Sequence, residues 1–404
     1  MKFSKTSQLA LVSAIGLLAT SLLTGCQLVT IDYVFVATSA GSGAGSDGQI
    51  QTYAVDSQSG ALRVADPPVP SGGTNPVAMA TTSDYYSLYV ANQGNNSVVH
   101  FGIATNGKLS KLDTITTTDT PVYLAVNQAN SYIYVISGTT SATLTEYALG
   151  SHGTIGSVVA QQTLTLPSNP GDTIVPTGVT VLPNNNAVYV TAYDQSAYNP
   201  GGTVTSTAHP GWVFGFAVGS SGTLTATASS PYQAGVKPVA VAADPTNRFI
   251  FVTDFASNQL IGYTIQNGNV LNFMVNGPFR TGNEPSALAV DPRGIYLYLA
   301  NELDNSVSGY TINLPTGTPS ALVNVTSSAP DATDTQPVAL GIDPALGRFV
   351  YTANRIGNSI SGFRLNPDNG VLVTTQSTPY PTGANPTALA MVPHGNHSTQ
   401  SVTP

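Results

Sequence analysis

Short runs in which apolar and polar side chains alternate recur along the chain; SVSGYTI, from Ser306, is one of them. A period of two sends successive side chains to opposite faces of a strand, so such runs predict half-buried β-strands. No long stretch with helical or heptad spacing is visible. The runs also repeat as phrases. YLYLANELDNSVSGY occupies Tyr296 to Tyr310, FVYTANRIGNSISGF Phe349 to Phe363, and SLYVANQGNNSVVHF Ser87 to Phe101. Alignment on their shared core gives seven copies: VFVAT at Val34, LYVAN at Leu88, IYVIS at Ile133, VYVTA at Val188, IFVTD at Ile250, LYLAN at Leu297 and VYTAN at Val350. Each is followed by a second alternating run, then a Gly-rich turn and a weaker third strand. Each copy closes on a proline-led run of small residues, beginning at Pro76, Pro121, Pro176, Pro238, Pro285, Pro337 or Pro386. Four strands and about fifty residues per unit lie in the range of propeller repeats.

A four-stranded antiparallel unit has two faces to hide, and a radial array buries both against neighbouring units. The pattern therefore predicts an all-β chain: one seven-bladed β-propeller over 31–393, with four antiparallel strands per blade. Small residues such as Ala287, Ala289, Ala388 and Ala390 suit the crowded innermost strands. The chain enters on a second strand at Tyr33 and leaves on an innermost strand at Pro386 to Met391. The first blade is therefore expected to be closed by the C-terminal strand. A tail over 394–404 is expected to fray.

Composition narrows the class. Charged residues are 8% of the chain and the formal net charge is −8, with no basic patch of the kind that binds nucleic acid. The first residues predict a targeting segment. Lys2 and Lys5 precede a short apolar run, Leu9 to Leu23, which ends in Leu23-Thr24-Gly25-Cys26. That ending resembles a bacterial lipobox, which implies a signal peptide over 1–25, a lipidated tether over 26–30 and lipid on Cys26. Cys26 is the only cysteine, so an internal disulfide is impossible. Gln27 after the cysteine fits outer-membrane delivery, and the expected location is the cell envelope, outer membrane or periplasm-facing, held through the lipid anchor alone.

YVAN at Tyr89, YLAN at Tyr298 and YTAN at Tyr351, each followed by Asn-Ser and an aromatic-ended strand, resemble the YVTN-type repeats of lactonase-like seven-bladed propellers. Asp-Pro turns at Asp244, Asp291 and Asp343 fit the same pattern. That family includes propeller-type 6-phosphogluconolactonases and fungal carboxymuconate-lactonizing enzymes, so the resemblance implies a lactone hydrolase. Two departures bear on substrate. The residues before the innermost prolines are Asn75, Thr120, Val175, Lys237, Glu284, Gln336 and Asn385, without the histidines expected of the intracellular lactonases. An exported protein would also not meet a cytosolic sugar-phosphate lactone.

What varies within the repeat marks the candidate site. Asn92, Asn301, Asn354 and Asp254 end second strands and are expected to fix turns by bonding backbone two residues on. Arg248, Arg348 and the Asp-Pro pairs fall on the opposite end of the ring and are read as structural. On the candidate face, Lys237 and Glu284 should stand nearest the axis, and Glu302 and Arg355 occupy equivalent places in neighbouring blades. Two of the three glutamates are here. Glu284 or Glu302 is the candidate base, with Lys237, Arg355 or His209 as oxyanion or carboxylate partner. Asp254 and Arg280 share this face, with Asp304 and Asp334. The irregular segment from Tyr193 to Trp212 replaces a short turn, and contributes Tyr193, Asp194, Tyr198 and Trp212 as candidate binding residues of a wall or lid.

Two readings follow. One is hydrolysis of a small-molecule lactone in the axial funnel by a monomer that needs no cofactor or metal. No HExxH, P-loop, dinucleotide fingerprint or GxSxG occurs, and His394 and His397 lie in the expected tail. The other is a non-catalytic scaffold for a surface glycan, a peptide or an envelope partner. Convergence of Lys237, Glu284, Glu302 and Arg355 favours the first; their dispersal favours the second.

Overall fold

The computed structural model describes residues 29–39, 47–139, 141–199, 209–322 and 330–395. Cys26, the segment before it, residues 200–208 and the tail from 396 lie outside the described residues.

Seven antiparallel sheets form the ring. Blade 1 comprises Thr30–Thr38, Gln49–Asp56 and Leu62–Pro70, and its fourth, innermost strand is Pro386–Pro393 from the far end of the chain. The closure is in the expected register, with Val34 opposite Met391 and Val36 opposite Leu389. The strand also runs further than anticipated. His394, expected at the start of the frayed tail, is held: its N–H donates to the Ile31 carbonyl at 2.8 Å, and its ring meets Tyr33 edge-on. The other innermost strands are Pro76–Thr81, Pro121–Val126, Ile174–Val181, Pro238–Ala243, Pro285–Val290 and Pro337–Ile342, in blades 2 to 7. In blades 4 to 7 the outer strand is two short pieces, both paired with the third strand.

The apolar side chains gather into seven clusters, each shared by two adjacent blades. Along the second strand of blade 2, Leu88 and Val90 face blade 1, while Tyr89 and Ala91 face blade 3. The period of two thus feeds two cores from one strand. Near the axis, polar fasteners take over. Every innermost strand skips one residue in its pairing just after the leading proline. Such a bulge turns the extra residue out of the ladder. Where that residue carries a hydroxyl, it reaches the next blade: Thr177, Ser286 and Thr387 donate to the carbonyls of Pro238, Pro337 and Pro76 at 2.7, 2.8 and 2.6 Å. Further out, second-strand tyrosines do the same. Tyr89, Tyr189, Tyr298 and Tyr351 donate to carbonyls in turns of the following blade, and Tyr351 to Gly60 spans the seam between blades 7 and 1 at 2.7 Å.

The Asp-Pro turns are structural. Asp244, Asp291 and Asp343 are buried and accept backbone N–H groups of the turns that follow them. The strand-ending asparagines are also buried, but their partners differ from those expected. Asn301 and Asn354 donate to serine hydroxyls on the third strand, and Asn92 bonds Ser71 in the incoming loop. A side chain aimed across the sheet has no free approach to the backbone two residues on.

Removing the closing strand should be costly. It withdraws Ala388 and Val392 from one inter-blade core and Met391 from another, and burial of one such larger side chain is worth about 1.5–3 kcal/mol. Deletion of 385–404 is expected to lower Tm by about 10 °C or more, and a synthetic 385–395 peptide should recover part of the loss. An unchanged Tm in the truncated chain would show that the ring closes without this strand.

Candidate functional site

The candidate face is built by a repeated backbone contact. In every blade but the fourth, the residue before the innermost proline offers its carbonyl to the N–H of the residue that follows the second strand. Phe255 donates to Lys237, Glu302 to Glu284, and Arg355 to Gln336, at 2.9, 2.8 and 2.7 Å. These pairs therefore emerge side by side in blades 5, 6 and 7. The blades are also stitched to one another here. Asn258 Oδ1 accepts the Glu284 N–H, and Asn305 Oδ1 the Gln336 N–H, at 2.8 and 2.7 Å. Glu284 and Gln336 both adopt left-handed backbone, with φ of 55° and 64°. Asn75 and Asn385 hold the same conformation at the equivalent places, with φ of 52° and 50°, so it belongs to the repeated turn, and it is the non-asparagine side chains that carry strain there.

Of the four sequence-selected charges, Glu302 and Arg355 meet directly, and Glu284 and Lys237 act on Glu302 through their charge. Glu302 is the centre. Its Oε1 accepts from Gln336 Nε2 at 2.7 Å and lies 3.8 Å from Arg355 Nη1. Burial lifts the Glu302 carboxyl above its ordinary range; Arg355 is the largest opposing influence, followed by the Gln336 hydrogen bond, while Glu284 raises it and Lys237 lowers it. Two cations and two carboxylates thus interact through one half-buried group. Lys237 is held from the other side. Its ammonium lies 4.8 Å from the Phe255 ring centroid, 5.6 Å from Tyr198 and 5.9 Å from Tyr193, within cation–π range. The two tyrosines meet each other edge-on at 5.1 Å.

Asp194 and Asp254 serve this arrangement without facing it. Asp194 is buried and accepts the N–H groups of Ser196 and Ala197, fixing the turn that carries Tyr198. The neighbouring Asp172 carboxyl is pushed up by desolvation and by the Asp194 charge. Asp254, fully buried, accepts Val236 N–H and Lys237 N–H, each at 2.9 Å. Gly235 permits this: its φ is +74°, and a Cβ there would fall 2.0 Å from Asp254 Oδ2. Asp304 and Asp334 are likewise turned to loop groups. Asp304 holds Asn283, and Asp334 is kept below the ordinary carboxylate range chiefly by the Ser359 hydroxyl.

The remaining candidates lie elsewhere. Arg280 is exposed on a short outer piece and borders a lateral cavity of about 360 Å³ at blade 6. His209 borders a groove of about 270 Å³ with Gln233, Ser257 and Phe273. Trp212 packs against the core shared by blades 3 and 4. Arg280 lies far out because its short piece pairs on the outer side of the third strand, while His209 and Trp212 stand at the start of the third strand of blade 4, already one strand away from the second. Reading the sequence for charge missed Phe255, Gln336 and the stitching asparagines Asn258 and Asn305. The recurrence of an asparagine before the third strand was the available signal.

Beneath the charged arc, the innermost strands enclose about 110 Å³, room for about three or four waters. Most positions there are Ala or larger aliphatics, but blade 3 places Tyr123 in this bore, 41% exposed to solvent.

Three comparisons bear on kinship. The family model described as lactonase, 7-bladed beta-propeller, matches residues 103–398. Among solved structures, a candidate 6-phosphogluconolactonase from Bacteroides fragilis is 18% identical with a TM-score of 0.71, covering 91% of this chain and 99% of that one. The periplasmic gluconolactonase of Pseudomonas aeruginosa is 18% identical with a TM-score of 0.69, covering 90% of this chain and 99% of that one. A hypothetical selenium-binding protein from Sulfolobus tokodaii reaches 0.67 at 13% identity, covering 94% and 97%. At these identities, likeness to a structure speaks for the fold alone. No curated protein matches the sequence.

Asp254 gives the scaffold test of the site. Asp254→Ala strands two backbone N–H groups, one of them that of Lys237, and should cost about 1–3 kcal/mol in urea unfolding. A loss below about 0.5 kcal/mol would mean that the Lys237 loop holds its place without the carboxylate.

Proposed function

The chain belongs to the lactonase family of seven-bladed β-propellers, and we propose that its rim hydrolyses a neutral or weakly anionic lactone. The observation that carries this reading is Glu302: a half-buried carboxyl 3.8 Å from Arg355, lifted by burial and acted on by the charges of Glu284 and Lys237. Opening a cyclic ester needs a base to take a proton from water and a positive group where the oxyanion develops. Glu302 is the base in this scheme, its tendency to hold a proton bringing it closer to working pH. Arg355 and Lys237 receive the oxyanion or the product carboxylate, and Gln336 fixes the Glu302 carboxyl. Water attacks the carbonyl carbon as Glu302 takes its proton, and the ring C–O bond then breaks with that proton passed from Glu302 to the leaving ring oxygen, giving the hydroxy acid.

Charge ranks the substrates. The two rim cations are balanced by Glu284 and Glu302, and the loops that carry them hold Asp194, Asp254, Asp304 and Asp334 as further negative charge, so a phosphate dianion meets no set of unopposed cations. A neutral sugar lactone fits better, and the gluconolactonase of P. aeruginosa lends support by its fold. A binding scaffold for a surface glycan, peptide or envelope partner is the second reading. What favours it is the amide side of the rim, where Asn75 Nδ2 donates to Gln93 Oε1 at 2.9 Å and both side chains are solvent-facing. We further propose that the chain is exported and lipid-anchored at Cys26, on the strength of Lys2, Lys5, the apolar run and Leu23-Thr24-Gly25-Cys26.

Paired neutral and phosphorylated lactones test the first reading. The neutral member should be hydrolysed faster, and Glu302→Gln should reduce its kcat/KM about 100-fold or more. Preference for the phosphorylated lactone would reverse the ranking. Full activity in Glu302→Gln would remove the base, and turnover of neither lactone would leave the scaffold reading. For the anchor, mass spectrometry of the mature N-terminus should find acyl chains on Cys26; an unmodified chain that starts elsewhere would refute it.

A further inference from the structure

Blade 2 departs from the repeat at two linked places, on the end of the ring opposite the rim just described. The first is the opening position of the second strand. Tyr33, Tyr132, Phe249, Tyr296 and Phe349 stand there in other blades, and Ala187 in blade 4; blade 2 has Ser87. The second lies on the third strand, opposite the second-strand aromatic. Gly215, Gly262, Gly309 and Gly362 occupy it in blades 4 to 7, and each leaves room for the ring beside it. Blade 2 has His100, paired with Tyr89 on one side and with Asp113 on the other.

Sheet geometry turns these substitutions into a constellation. Ser87 and Tyr89 are two residues apart and share a face, and residues directly opposite in adjacent strands are close neighbours on that face. Ser87, His100 and Asp113 therefore lie in a row across three strands. His100 Nδ1 is 2.8 Å from Asp113 Oδ2, and His100 Nε2 is 2.9 Å from Ser87 Oγ. His100 is fully buried and stacks on Tyr89 at 4.8 Å. The polarity of the chain of bonds is fixed by chemistry. An ionised carboxylate only accepts, so Nδ1 carries the proton, Nε2 is left as the acceptor, and the Ser87 hydroxyl donates to it. That is the tautomer and direction a nucleophilic serine requires.

The missing aromatic ring also leaves space. A cavity of about 500 Å³ opens beside Ser87, lined also by Tyr86, Ile103, Leu112, Asn130 and His152, within the range of small-ligand pockets. Gly153 of blade 3 packs its backbone directly against the pair, since a Cβ there would come 3.2 Å from His100 Nε2 and closer still to Ser87 Oγ, and Ser87, itself 3% exposed, meets the cavity beside that glycine. Tyr86 and Leu112 are exposed at its edge, 68% and 56%, which suits an apolar acyl or alkoxy group. Asn130 Oδ1 is taken by Ser83 N–H at 2.8 Å, which leaves its amide hydrogens, with Ser110 and His152, among the polar groups lining the cavity.

We propose that Ser87, His100 and Asp113 form a second, serine-hydrolase-type site that cleaves short, apolar carboxylic esters. Ser87 Oγ attacks the carbonyl carbon as its proton passes to His100 Nε2. The ester C–O bond breaks, the leaving alkoxide takes that proton, and an acyl group remains on Ser87. Water then adds to the acyl carbon with His100 as base and releases the acid. The site is independent of Glu302 and of the rim.

The full chain treated with a fluorophosphonate probe tests this directly. The expected result is a single adduct, which tandem mass spectrometry places on Ser87, together with a burst of p-nitrophenol from p-nitrophenyl butyrate. Ser87→Ala should abolish both, and Asp113→Asn should slow turnover about 100-fold or more by releasing the His100 tautomer. A role in packing alone would lower Tm in these variants yet give no adduct in the wild-type chain. An unlabelled Ser87 in natively melting wild-type protein, or wild-type ester turnover in Ser87→Ala, would overturn the proposal.

Discussion

No blade owns a core. Each is a sheet with two apolar faces, and every cluster of buried side chains belongs to two blades at once. A face left bare would expose large apolar side chains to water, at about 25 cal/mol for each Å². That single demand explains the circle, the period of two along every second strand, and the small residues where the strands crowd at the axis. It also explains why the polar contacts between blades are so alike. Hydroxyls of Thr177, Ser286 and Thr387, and of the second-strand tyrosines, meet backbone carbonyls of the next blade, because only the backbone recurs at the same place in each blade.

Chemistry is confined to what the ring does not need. At the rim, the backbone contact between the pre-proline residue and the one after the second strand is shared by neighbouring blades, while the side chains it presents run from Lys237 and Phe255 through Glu284 and Glu302 to Gln336 and Arg355. Their order around the ring sets the electrostatics: a cation boxed by aromatics, two carboxylates, then a second cation across an amide. At the opposite end, blade 2 exchanges an aromatic for Ser87 and a glycine for His100. Both places are interchangeable parts of one rigid frame, which is how one fold hosts unrelated activities.

The fold was legible because its signals are local and repeated. Alternation located the second strands, the proline-led Ala runs located the innermost ones, and the phase of the first and last copies disclosed the closure. The clustering of Lys237, Glu284, Glu302 and Arg355 was also readable, since equivalent places in adjacent repeats become neighbours in space. Arg280, His209 and Trp212 misled because a loop's position along the repeat says little about its radial depth. Phe255 was overlooked because an aromatic next to a charge carries no sequence mark of a cation–π contact. His100 and Ser87 were visible in SLYVANQGNNSVVHF beside YLYLANELDNSVSGY: serine replaces tyrosine at the first letter, and histidine replaces glycine near the last. The eye passes over them because both fall inside strands, where variation is expected to be core packing.

The strand Pro386–Pro393 pairs with Thr30–Thr38, residues some 350 positions earlier. Chains emerge from the ribosome at about 5–20 residues per second, so the two partners of blade 1 are born roughly 20–70 s apart. Six blades can stack in that interval while the first waits with an open edge, and that edge offers unpaired N–H and C=O groups to any passing strand. The molecule therefore has a stage in its life, long compared with strand pairing, when its first blade is a template in search of a last strand. Whatever attends the nascent chain has to guard that edge until the final residues arrive.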